Sequence, residues 1–197
     1  PYTDEDYFAY VDGKPRYNGV RDFFASRGIT LPEGDPSDGP AAQTICGLGN
    51  RKNDLFNTVL ARDGIQPYPG SRRWVDRLHE SGMAMAVVSS SRNAAAVLKA
   101  AGMVEDFSVL VDGNRSKTER LPGKPAPDTY LRGAELLGVP AEQCVVVEDA
   151  VSGVRAGAAG GFGMVLGVNR GVGADRLREA GADRVVDDLD EMVEEMA

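Results

Sequence analysis

From residue 84 onward, short apolar runs alternate with amphipathic stretches at close intervals. Residues 84–89 (AMAVVS), 107–111, 145–147, 163–168 and 184–186 read as buried strands bounded by turn residues. Between them, residues 94–101, 128–137, 152–159 and 174–180 read as helices. Gly102 and Gly138 stop the first two. Ser71 is placed to cap another helix that runs to about Ser81, with Gly82 as its stop. Strand and helix alternating in this way predict βαβ units. The expected fold class is α/β, a Rossmann-like parallel sheet with helices on both faces.

The first third has a different texture. Residues 17–27 carry Val20, Phe23 and Phe24 at helical spacing, and residues 53–62 carry Leu55, Phe56, Val59 and Leu60. Between them LPEGDPSDGP, residues 31–40, is a Pro/Gly/Asp loop. No strand pattern occurs here. The expected organisation is a small helical domain, residues 1–66, joined through PYPG at 67–70 to an α/β core, residues 67–197.

Composition narrows the function classes. Apolar residues make up 42% of the chain, enough to bury a core. No apolar run reaches the length of a membrane span, and no signal peptide opens the chain. A net charge of −8 argues against a nucleic-acid partner. It also requires that an anionic substrate be drawn in by a local cationic patch. Cys46 and Cys144 are the only cysteines, which suits reduced thiols and a cytoplasmic location. Nothing demands more than a monomer.

The candidate chemistry gathers at the predicted carboxyl ends of strands, where open α/β sheets bind ligands. Glu148 and Asp149 follow the run Val145 to Val147 directly, where a turn lets both carboxylates reach one hard cation. They also suit the start of the next helix as a dipole pair. Lys124, within GKPAPDTY (123–130), is a compact cation held in a stiff Gly/Pro stretch and suited to phosphate. Ser89, Ser90 and Ser91 end another strand just before a helix. They read either as an anion site or as ordinary capping serines. In the helical domain, Arg16, Arg51 and Lys52 offer positive charge, and GLGNRKND (47–54) reads as a glycine-rich loop entering a helix. His79, the one histidine, sits among charges and is expected to face solvent, whereas Trp74 and Leu78 are expected core contacts.

In this order the motifs resemble the haloacid dehalogenase superfamily, and within it the β-phosphoglucomutase-like branch, over nearly the whole chain. VVSSSRN (87–93) resembles the second motif, with Ser89 as the phosphate-binding hydroxyl. GKPAPD resembles the third, with Lys124 balancing charge on phosphate and nucleophile. VVVEDAVSGVRAG (145–157), the most specific segment, resembles the fourth, with Glu148 and Asp149 as Mg²⁺ ligands. The helical domain corresponds to the family's cap. The resemblance implies substrate-binding roles for Arg16, Arg51, Lys52 and Asn53 in that cap, and for Ser90, Ser91 and Asn93 in the core.

One departure is large. The family's first motif, a strand ending in DxDG that carries the nucleophile and the acid/base, is absent. Asp4-Glu5-Asp6 follows no apolar strand, and Asp188-Leu189-Asp190 lacks the glycine. That strand belongs between those ending at Ser89 and at Val147, so a break in the sheet is expected there, and with it an N-terminal segment beyond these residues. The implied activity is Mg²⁺-dependent phosphoryl transfer on a small sugar phosphate through an aspartyl phosphate, as in conversion of β-glucose 1-phosphate to glucose 6-phosphate. The alternatives are a phosphatase of a small sugar phosphate, or a phosphate-binding domain without turnover. Dehalogenation does not need the acidic pair.

Overall fold

A computed structural model describes residues 2–195. The chain divides into two units, Pro1–Ile65 and Gln66–Ala197.

The first unit is helical: α1 (Asp4–Asp6), a π-helical turn (Tyr7–Val11), α2 (Arg16–Ser26) and α3 (Ile45–Asp63). The sequence reading of residues 47–54 as a loop is corrected here, because GLGNRKND lies inside α3. Thr44 starts that helix by accepting a hydrogen bond from the Gly47 amide. Its glycines serve packing rather than a turn. A Cβ on Gly49 would stand 2.8 Å from the Tyr17 ring, and one on Gly47 would sit 2.8 Å from the Ala42 methyl.

The second unit runs α4 (Pro69–Glu80), β1 (Ala86–Val88), α5 (Ala94–Ala100), β2 (Val109–Val111), α6 (Gly113–Thr118), α7 (Asp128–Leu137), β3 (Val145–Glu148), α8 (Val151–Ala159), β4 (Met164–Val168), α9 (Ala174–Glu179), β5 (Arg184–Val186) and α10 (Asp190–Glu195). Helix α4 begins at Pro69 rather than at a Ser71 cap, because proline at a first helical position has no amide to leave orphaned. Gly138 ends α7 in the left-handed conformation.

Every strand pairing is parallel, and the strands form two sheets, β1–β2 and β3–β4–β5. Alternation along β4 shows how the second sheet is covered. Leu166 and Val168 join Val186 and Leu189 in a buried cluster, with Trp74 of α4 and Met192 of α10 packed on it. On the opposite face, Val165 lies against Gly157 of α8, and Gly167 against Leu177 of α9. Both faces are therefore buried, which is why these strands read as continuous apolar runs. His79 is exposed and Leu78 buried.

Candidate active site

Glu148 is the last residue of β3, and its side chain turns under the strand end rather than outward. The space it fills exists because position 153, in the first turn of α8, is glycine. A Cβ there would overlap the Glu148 carboxyl group. Lys124 reaches the same carboxylate from the loop ahead of α7, and its Nζ pairs with Oε1. The two side chains retain only 5% and 10% of their surface, so the pair is desolvated. The same Nζ lies 3.4 Å from the Val88 carbonyl at the end of β1. One ammonium thus spans the carboxyl ends of both sheets.

Tyr130 completes the cluster. Its hydroxyl donates to Glu148 Oε1 at 2.7 Å, and its ring centre lies 4.6 Å from the Lys124 Nζ. Phe162 braces that ring edge-on. On the other oxygen, Glu148 Oε2 accepts from the Asp149 and Ala150 amides, each at 3.0 Å.

Burial alone would raise the Glu148 carboxyl. The Lys124 charge, its hydrogen bond and those from Ala150 and Tyr130 outweigh burial, holding the group below the usual carboxylate range. Burial first, and then the Glu148 charge, push the Tyr130 phenol well above its ordinary value, so it remains a donor. The lowered Glu148 value has a definite sign for stability. Its contribution is complete above the unfolded value and is lost as pH falls through the lower folded one. The gap in unfolding free energy between wild type and Glu148→Gln is therefore expected to narrow on acidification below about pH 4.5, a reference carboxylate value. Urea titrations from pH 7 to pH 3 measure it. A constant gap would show that the carboxylate charge is not what stabilises the site.

The serine segment packs beside Lys124's anchor on β1. Ser89 Oγ accepts the Ser91 amide at 3.2 Å, and Ser91 Oγ accepts the Asn93 amide at 3.1 Å. The Ser89 amide itself pairs with the Val111 carbonyl at 2.9 Å. Both hydroxyls therefore shape the turn, while each keeps its own proton for donation. Asn93 stands at the start of α5 without a side-chain cap bond.

In the helical unit, Arg16 donates to Asn50 Oδ1 at 3.1 Å and to Asn53 Oδ1 at 2.6 Å. Tyr17 donates to the same Asn50 oxygen. Arg51 and Lys52 lie on the exposed face of α3. Among the residues singled out in this unit, Arg16 and Asn53 are thus brought together.

For a divalent ion the arrangement is selective. Asp149 is exposed and presents a carboxylate in kind suited to magnesium. Glu148 does not fit in its present pose, since its two oxygens already take Lys124, Tyr130 and two amides. Among the described residues, no three His, Cys, Asp or Glu side chains gather as a metal cluster.

Tyr130, Gly153 and Asn50 escaped the sequence reading. Tyr130 lies on the apolar face of α7 with Ala134, where an aromatic reads as core. Gly153 carried a detectable signal, because glycine within a helix costs about 1 kcal/mol against alanine and so marks a close approach.

Comparison with known proteins identifies the family. A family model described as haloacid dehalogenase-like hydrolase matches residues 3–161. A β-phosphoglucomutase of Mycobacterium tuberculosis is 49% identical over 191 residues, covering 95% of this chain and 73% of that protein. Hexitol phosphatase A of Escherichia coli is 33% identical over 190 residues, covering 95% of this chain and 77% of that protein. The solved β-phosphoglucomutase of Clostridium difficile shares the fold, with a TM-score of 0.79 at 20% identity over 98% of this chain and 81% of that one. The chain belongs to the haloacid dehalogenase superfamily, in its β-phosphoglucomutase-like branch, and is a phosphotransferase or phosphatase.

Proposed function

We propose that this enzyme moves a phosphoryl group on a sugar phosphate through an aspartyl phosphate, converting β-glucose 1-phosphate to glucose 6-phosphate. The observation that carries the reading is Lys124, an almost buried ammonium held at the carboxyl ends of both sheets. A fixed cation there neutralises charge that develops on a transferring phosphoryl group. The Ser89 hydroxyl, held through the Ser91 amide, donates to a phosphate oxygen, and Ser90, Ser91 and Asn93 line the sugar side. Residues 1–66 act as the cap, and within it Arg16, oriented by Asn50 and Asn53, meets a second phosphate together with Arg51 and Lys52.

Magnesium is assigned to Asp149, with Glu148 as a second ligand once it is released from its present donors. Bound there, the ion would supply charge neutralisation at the phosphate. The acceptor aspartate is placed on a strand between β1 and β3. The break between the two sheets supports this placement, since no strand pairing joins β1 to β3 among the described residues and Lys124 reaches across the gap. The protein is read as a monomer that acts on a small phosphorylated sugar in the cytoplasm. Among the described residues, no helix is long and apolar enough to cross a membrane.

The test supplies the strand. Joined to a segment that carries a strand ending in DxDG, the chain is expected to form glucose 6-phosphate from β-glucose 1-phosphate with magnesium and a trace of hexose bisphosphate. Release of inorganic phosphate alone would establish the second reading, a sugar-phosphate phosphatase, which the likeness to a hexitol phosphatase favours. No turnover of either kind would leave a phosphate-binding domain. In the active form, Arg16→Ala is expected to raise KM for the bisphosphate by about 10- to 100-fold, the loss of one charge-assisted hydrogen bond. Steady-state kinetics measure this, and an unchanged KM would remove Arg16 from the substrate site.

A further inference from the structure

We propose that the Tyr130 hydroxyl is a latch that holds Glu148 on Lys124 and away from a divalent cation. This inference rests on the placement of the cation at Asp149 and Glu148. An ionised carboxylate offers about four acceptor positions. At Glu148 two lie on Oε1, facing Lys124 and Tyr130, and two on Oε2, facing the Asp149 and Ala150 amides. The two amides are fixed by the backbone at the start of α8. The exchangeable partners are therefore the ammonium and the phenol. Tyr130 touches both members of the ion pair, with its hydroxyl on Glu148 and its ring beneath Lys124. It is itself 7% exposed and braced by Phe162, so the hydroxyl cannot swing away without moving the ring.

A cation that takes an oxygen of Glu148 must remove it from this set. Whatever stabilises the latched pose weakens cation binding by the same factor, because the two equilibria share one carboxylate. Tyr130 is thus a positioning residue that sets how strongly Glu148 is reserved for Lys124. Removing its hydroxyl leaves the ring and the ion pair in place, and frees the second acceptor position on Oε1 beside the ammonium.

The experiment measures Mn²⁺ binding to the 197-residue chain by electron paramagnetic resonance, with Mg²⁺ as competitor. Mn²⁺ suits the same hard oxygen ligands. Tyr130→Phe is expected to bind Mn²⁺ about 3- to 10-fold more tightly than wild type. Asp149→Asn should abolish binding in both backgrounds, which fixes the site. Binding to Tyr130→Phe that is equal or weaker, while Asp149→Asn still abolishes it, overturns the latch and leaves the cation site standing. Binding that survives Asp149→Asn, or no binding to either protein, overturns both. A measurement on the wild type guards against a variant that fails to fold. With ¹³Cζ-labelled tyrosine, the buried Tyr130 resonance is expected to shift on saturation with Mg²⁺, as its acceptor is withdrawn. A spectrum in which no tyrosine resonance shifts also overturns the latch.

Discussion

Replacing Lys124 with methionine is expected to destabilise the chain by about 3–5 kcal/mol, the usual cost of leaving one member of a buried ion pair alone. The estimate applies here because both side chains are nearly closed to solvent. With the ammonium gone, the Glu148 charge keeps only Tyr130 and two amides. Urea unfolding of the variant measures the loss. The double variant Lys124→Met with Glu148→Gln separates charge from packing. If the unpaired carboxylate causes the loss, the second change restores most of it, and a sum of two independent costs contradicts that account. In the form that turns over substrate, the single variant is expected to lose at least about 10²- to 10³-fold in kcat, the scale for removing one preorganised charge stabiliser.

Gly153→Ala is expected to be comparably damaging, against the trend for its position. Helix propensity alone predicts a gain of about 1 kcal/mol from this change within α8. The added methyl, however, would occupy the place of the Glu148 carboxyl group, the end of a side chain that four donors hold in position. Glu148 must then leave its four donors, so the expected net effect is a loss of about 3 kcal/mol or more. The two accounts differ in sign, which makes chemical denaturation decisive. A stabilised alanine variant would show that Glu148 does not need the space beside Gly153.

The sequence pattern located all five strands and most helices of the second unit, because βαβ packing buries β4 on both faces and leaves an unbroken apolar run. Helix α7 was read to the residue, since Gly138 marks its end with a left-handed backbone. The failures are local and have reasons. Residues 47–54 contain two glycines that signal a turn when read alone, yet tertiary contacts with Ala42 and Tyr17 require small residues inside a helix. Helices α6 and α10 are six residues each, too short for apolar periodicity to register.

At the site, Lys124 and Glu148 stood out as residue types in a telling order, but their pairing did not. Neither spacing nor composition shows that a strand-end carboxylate folds inward. That depends on the room left by Gly153 and on a phenol supplied by α7. The cap residues show the same limit. Arg16 and Asn53 are 37 positions apart, and only the packing of α2 on α3 makes them partners.

The arrangement of strands also bears on how the second unit breathes. With no ladder between β1–β2 and β3–β4–β5, backbone cooperativity stops at the boundary, and coupling passes through side chains: the Lys124 bridge and the contact of α7 with α8. Such a core opens as two blocks rather than one. Amide hydrogen exchange is therefore expected to resolve them, with Val146, Val165 and Leu166 protected longer than Val87 and Leu110. Cutting the Lys124 bridge should widen that difference in the 197-residue chain, where, without the strand proposed between β1 and β3, the ammonium is a mechanical tie between two halves that otherwise fluctuate on separate clocks.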